Sequence, residues 1–139
     1  MIQRIQSVWL LLAAIASLLT FKFSFYGGYL IGNTVLNDWK VLTASSGLLL
    51  IILASLTGIG SFIAIFLYKD RKTQLRITIV ALILSLLSII IYFSEIKNYE
   101  KGALSLTSII TFVVPVFLFF AAKGIWKDQK LIKSLDRLR

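Results

Sequence analysis

Chemistry in this 139-residue chain has to be assembled from six Asp and Glu, fifteen Lys and Arg, and a scatter of hydroxyls, because it contains no cysteine and no histidine. Without those two residue types, disulfides are impossible and the usual structural zinc sets and histidine-based catalytic sets have no members. The acids are Asp38, Asp70, Glu95, Glu100, Asp128 and Asp136. All fall outside the long apolar runs, so an intramembrane aspartyl pair has no candidate. Ser55, Ser61, Ser85 and Ser88 sit inside those runs, with no His or Lys in their segments to act as the base a serine nucleophile needs. Glu95 and Glu100 are near enough for an acid–base pair, but "EIKNYEKG" interleaves them with Lys97 and Lys101, the pattern of a solvated loop. An enzyme acting on lipid would have to rest on such a loop acid, Glu95 or Asp38. No catalytic, cofactor-binding or metal-binding residue is expected.

Two other features invite a functional reading. "LTGIGS" (Leu56–Ser61) has the glycines of a phosphate loop, yet such a loop opens a helix beside water and offers a lysine, whereas this one is central in an apolar run. Helix packing is the better reading. The hydroxyls of Thr57, Ser61, Ser85, Ser88, Ser108 and Thr111 remain, and they are the side chains able to line a path for a small neutral substrate.

These residues must be positioned by membrane helices. The chain is 58% hydrophobic and 15% charged, with a mean hydropathy of +0.90, whereas a soluble domain is roughly a quarter charged. A helix crossing a bilayer core of about 30 Å needs about 20 mostly apolar residues. Segments 5–21, 44–68, 75–94 and 103–122 meet that need, and the one charge within them, Arg76, is near enough to an end to snorkel. Arg4, the apolar run that follows and Ala14-Ile15-Ala16 resemble a signal peptide, but apolar sequence continues through Leu18, Leu19 and Phe21, so an uncleaved span is expected. The expected fold is all-α: an integral membrane four-helix bundle over 1–122, followed by a basic amphipathic tail over 123–139.

Orientation follows the Lys and Arg distribution. Arg4, Lys69, Arg71, Lys72, Arg76, Lys123, Lys127, Lys130, Lys133, Arg137 and Arg139 fall on one side. Lys22, Lys40, Lys97 and Lys101 fall on the other. The majority side is expected to be cytoplasmic and to hold both termini. Every Trp and Tyr lies in a loop or near a span end, as an interfacial aromatic belt requires.

Membrane helices associate through small residues and side-chain hydrogen bonds. Gly47, Ala54, Gly58 and Ser61 share one face of the second span, and Ala81, Ser85 and Ser88 one face of the third. Pro115 should kink the fourth span, with the Thr111 hydroxyl one turn earlier serving the disturbed backbone. In the first outer loop, "FKFSFYGGYLIG" alternates apolar residues around Gly27-Gly28, which predicts a small β-hairpin.

The tail, written as a helix, places Leu131, Ile132, Leu135 and Leu138 on one face and Lys130, Lys133 and Arg137 mostly on another. Such a stretch suits anionic inner-leaflet lipid or a groove on another membrane protein. A nucleic-acid arm should bring a folded reading module, which the chain lacks, so no nucleic-acid partner is expected.

"MIQRIQSVWLLLA" (Met1–Ala13) and "KDQKLIKSLDRLR" (Lys127–Arg139) resemble the termini of the domain-of-unknown-function 4293 family, short bacterial membrane proteins with four predicted spans. The resemblance implies a cytoplasmic (inner) membrane location and carries no activity, cofactor or catalytic residue. It draws attention to Gln3, Arg4 and Gln6 at one end and to Ser134, Asp136, Arg137 and Arg139 at the other. Arg4 and Asp136 are expected to meet and tie the first helix to the fourth. The leading functional expectation is a non-enzymatic accessory or scaffold subunit of a larger membrane assembly, and the alternative is a transporter or channel for a small neutral or lipid-like substrate.

Overall fold

A computed structural model of the chain describes residues 2–31 and 39–136, with side chains over 5–31 and 39–134. The elements in order are α1 (Ile2–Leu19), β1 (Tyr26–Leu30), β2 (Trp39–Leu42), a single 3-10 turn (Ala44–Ser46), α2 (Leu48–Phe66), α3 (Arg71–Ile96), β3 (Tyr99–Leu104) and α4 (Ser108–Asp136). By length and composition α2, α3 and α4 can each cross a membrane, while α1 carries a shorter apolar segment, Ile5–Leu19.

The helices are apolar outward as well as inward. Only 22% of the apolar window of α3 is buried, so residues such as Ile83, Leu86 and Ile90 face outward, an arrangement suited to hydrocarbon as solvent. Each helix packs on two others: α1 on α2 and α4, α3 on α2 and α4. The core between them is Leu10, Ala13 and Ala16 from α1, Ala64 from α2, Ala81 from α3, and Val114, Leu118, Ala121 and Ile125 from α4. Five alanines in that set let backbones approach closely, the condition for dispersion contacts to hold helices together in lipid.

The first loop forms the expected antiparallel pair, β1 with β2, but Gly27-Gly28 is not its turn, and β3 joins the pair to make a three-stranded sheet of order β2-β1-β3. Gly27 and Gly28 lie inside the central strand, paired with Val41 and Lys40 on one side and Ala103 and Gly102 on the other. They are glycines because of what crosses them. A Cβ on Gly28 would lie 2.6 Å from the Lys101 carbonyl oxygen, and one on Gly27 would lie 2.8 Å from the Trp39 indole. The third strand comes from the loop between α3 and α4, part of which the sequence assigns to the fourth span. That helix instead starts at Ser108.

Beneath the sheet, Phe25 is 1% exposed and stacks on Tyr92 at 4.4 Å between centroids, with Leu42 and Leu50 completing a second apolar cluster. Backbone bonds bind the sheet to the helix ends: Phe25 N–H to Leu42 O (2.7 Å), Ser105 N–H to Phe25 O (3.1 Å) and Ala44 N–H to Thr20 O (3.1 Å). Gly47 is not on an interior helix face. It is the extended N-cap of α2, its carbonyl accepting from Ile51 N–H at 3.0 Å. α4 runs on through Pro115 to Asp136, so the described residues from 123 onward continue the same helix.

Candidate functional site

Two polar constellations lie among the helices. The first is at the end where the basic residues gather. Gln6 of α1, Arg71 and Gln74 in the first turn of α3, Asp128 of α4 and the Ala64 carbonyl near the end of α2 converge there. The Gln6 amide donates to Asp128 Oδ2 at 2.7 Å, and its carbonyl oxygen accepts from the Arg71 guanidinium at 3.1 Å. The same Arg71 nitrogen donates to Gln74 Oε1 at 3.3 Å, and Gln74 Nε2 donates to Ala64 O at 2.9 Å. The chain Asp128–Gln6–Arg71–Gln74–Ala64 therefore passes through all four helices.

Burial gives this chain its weight. Gln6, Gln74 and Asp128 are 2%, 1% and 9% exposed. A buried polar group left without a partner costs its full desolvation, and the cost rises where one member is charged. The Gln6 amide donates to a carboxylate and accepts from a guanidinium, so both halves of the group are used. Gly124 opens the space for it: a Cβ there would lie 2.8 Å from Gln6 Cγ. Asp70 O accepts Gln74 N–H at 2.9 Å and Gln74 O accepts the Thr78 hydroxyl at 2.8 Å, which seats the α3 side of the cluster.

The second constellation is a narrow cavity of about 20 Å³ nearer the sheet. Its lining carries the hydroxyls of Ser17, Thr20, Thr57, Ser85, Ser88, Tyr92 and Thr111, with Leu50, Ala54 and Val114. The volume is that of about one water molecule. Most of the hydroxyls are turned back on helix carbonyls, Thr57 to Leu53 O, Ser85 to Leu82 O and Ser88 to Ser85 O, each at 2.7 Å. Ser17 instead crosses between helices, donating to Ala54 O of α2 at 2.8 Å.

The remaining sequence-flagged residues have definite places. Gly58 is buried against Ser17 and Leu18 of α1, with a virtual Cβ 3.6 Å from Ser17 Oγ. Ser61 is fully buried and bonded to Thr57 O, and Ala81 lies against Gly60. Pro115 is half-buried in α4, one turn past Thr111. Leu131, Ile132 and Lys133 are exposed. Asp38, Arg137, Leu138 and Arg139, and the side chains of Arg4, Leu135 and Asp136, lie outside the described residues, and the expected Arg4–Asp136 tie lies there with them. Within the described residues α1 and α4 are tied by Gln6 and Asp128.

On the sheet side, Glu95 accepts from Asn98 Nδ2 at 3.0 Å. Burial, and secondarily the Glu95 carboxylate, hold the Tyr99 phenol above its ordinary value. Among the described residues no group of three or more acids is placed to hold a metal ion.

Residues 2–138 match a protein family described as Domain of unknown function (DUF4293). No curated protein and no solved structure matches the chain. The chain belongs to the DUF4293 family.

Proposed function

We propose that this DUF4293 member is a four-span bundle of the bacterial cytoplasmic membrane, with both termini in the cytoplasm, that serves as a non-enzymatic accessory or scaffold subunit of a larger membrane assembly. The hydrogen-bonded chain through all four helices carries this reading. A subunit that presents surfaces to partners needs a fixed shape. Here that chain of bonds, a clasp, locks one end of the helices while the sheet, drawn from the first and last loops, locks the other. The Lys and Arg asymmetry supports the orientation, and the basic end of α4 supports contact with anionic lipid or with another membrane protein.

The test is affinity capture of tagged full-length protein from native membranes in mild detergent, beside a form lacking 131–139. That truncation begins after Asp128, so it spares the clasp. The reading expects a stoichiometric membrane-protein companion with the full chain; a monomer without companions contradicts it. Loss of the companion on truncation would assign the docking contact to the end of α4.

The hydroxyl-lined cavity favours a second reading, a carrier for a small neutral solute, since Thr57, Ser85, Ser88 and Thr111 meet there. At about 20 Å³ the cavity admits nothing larger than water in this conformation, so transport would require the helices to part. Solute flux into reconstituted vesicles tests it.

A further inference from the structure

A groove of about 440 Å³ runs between α3 and α4 at the end that carries the clasp, walled by Leu75 and Ile79 on one side and Phe119, Ala122, Lys123 and Trp126 on the other. The two helices run antiparallel, since Phe93 and Phe112 meet at the opposite end with ring centroids 6.3 Å apart. Both walls therefore grade the same way. On α3, Lys72 and Arg76 precede Ile79 by seven and three positions, on the same helical face. On α4, Lys123 and Trp126 follow Phe119 by four and seven positions, again on one face. Going along the groove toward that end, apolar walls give way to Lys123 and Arg76, with the Trp126 indole one turn beyond Lys123 on α4. Lys72, Arg76 and Lys123 are exposed, and among the described residues none is paired with a carboxylate.

We propose that this groove is a binding site for one anionic glycerophospholipid, an acyl chain lying along Ile79, Phe119 and Ala122 and the phosphate held by Lys123 and Arg76. The inference rests on the membrane-spanning reading but not on the subunit role. The volume falls in the range of about 300–1,000 Å³ typical of small-molecule sites. A free anion would satisfy the cations and leave the trough empty. A zwitterionic lipid would fill the trough but carry a cation of its own toward Lys123 and Arg76. An anionic lipid satisfies both parts, and basic pockets between membrane helices commonly take such headgroups. Trp126, 64% exposed and lining the groove beside Lys123, has an apolar body for the chain region and an N–H for the headgroup region.

Trp126 also supplies the readout. Full-length protein with Trp9→Phe and Trp39→Phe, leaving one indole, is reconstituted into phosphatidylcholine vesicles containing small fractions of phosphatidylglycerol. Either lipid carries brominated chains, which quench a neighbouring indole. The expected result is quenching by brominated phosphatidylglycerol at a mole fraction roughly five- to thirtyfold lower than for brominated phosphatidylcholine, the effect of one or two cations near an anionic headgroup. Lys123→Gln with Arg76→Gln should abolish the preference while ordinary quenching by boundary lipid persists. Ala122→Phe, which fills the trough, should reduce quenching by both lipids, with circular dichroism showing intact helix content.

Equal quenching by the two lipids, or a preference that survives loss of both cations, overturns the site. So does a Trp126 emission shift produced as strongly by inorganic phosphate alone. Quenching by neither lipid overturns it by showing that another protein surface covers the groove. A missing companion in affinity capture would leave this result untouched, so the two failures are distinguishable.

Discussion

Gln6 and Asp128 lie 122 positions apart and are joined by a 2.7 Å hydrogen bond that neither exposes appreciably. That bond fastens the first helix to the fourth, and Arg71, bonded to the other side of the Gln6 amide, extends the fastening to the third. Removing one partner strands the other. Gln6→Ala and Asp128→Ala are each expected to lower stability by about 1.5–3 kcal/mol, the range for a hydrogen bond to a charged group. The double variant should lose less than the sum. A thermodynamic cycle from unfolding in mild detergent reads the coupling, and additivity of the two losses would show that the bond contributes nothing.

Gly124→Ala tests the same clasp without touching a polar group. Its new Cβ would sit 2.8 Å from Gln6 Cγ, close to the root of that side chain, so Gln6 must swing away from Asp128. A loss of about 1–3 kcal/mol is expected, and most of it should vanish in a Gln6→Ala background. Equal losses in both backgrounds would place the clash elsewhere.

The sheet glycines should separate sharply from the capping glycine. Gly28→Ala drives a methyl group into the Lys101 carbonyl, and Gly102→Ala drives one into the backbone of β1. Each is expected to loosen the sheet, read as faster amide exchange over 26–30 and 99–104. Gly47→Ala, whose nearest neighbour would be 3.9 Å away, should leave exchange there unchanged.

Tyr99 titrates above its ordinary value of 10.0 because burial, and then the Glu95 carboxylate, penalise the phenolate. The folded protein thus holds this proton more tightly than the unfolded chain. The resulting stabilisation is present below pH 10 and is lost as pH rises through the folded value. Glu95→Gln removes the second cause and should move the Tyr99 share of the tyrosinate absorbance titration toward lower pH, with Tyr99→Phe identifying that share. An unmoved titration would dismiss the Glu95 contribution.

The chain has no native cysteine, so single-cysteine labelling needs no background removal. In the proposed orientation, with both termini cytoplasmic, Lys22→Cys and Lys97→Cys should react with a membrane-impermeant maleimide in intact spheroplasts, whereas Lys69→Cys and Lys130→Cys should react only after lysis. The reverse pattern would invert the proposed orientation.

The long helices are legible because hydrocarbon demands a minimum apolar length, and α2, α3 and α4 each display it without interruption. The sheet is not legible locally. Gly27-Gly28 has the composition of a turn, and what makes it mid-strand is Gly102 crossing it from another loop. The clasp is hidden for a different reason. Gln6 and Gln74 carry no charge, and charge counting treats Arg71 as a sign of topology and Asp128 as part of a solvated tail. The clue available was Gly124, a small residue four positions before an acid, but reading it requires knowing that Gln6 lies opposite.

The position of β1 between its two neighbours has a consequence for biogenesis. In the proposed topology, with insertion helix by helix during synthesis, β1 and β2 would be together once α2 is in place, but β3 would join them only after α3. Until then one rim of β1 offers unpaired amides and carbonyls to whatever is nearby, and an open strand rim invites mispairing. In that topology the α3–α4 loop closes a strand rim that the first loop would leave open, since β3 is what pairs with the free side of β1.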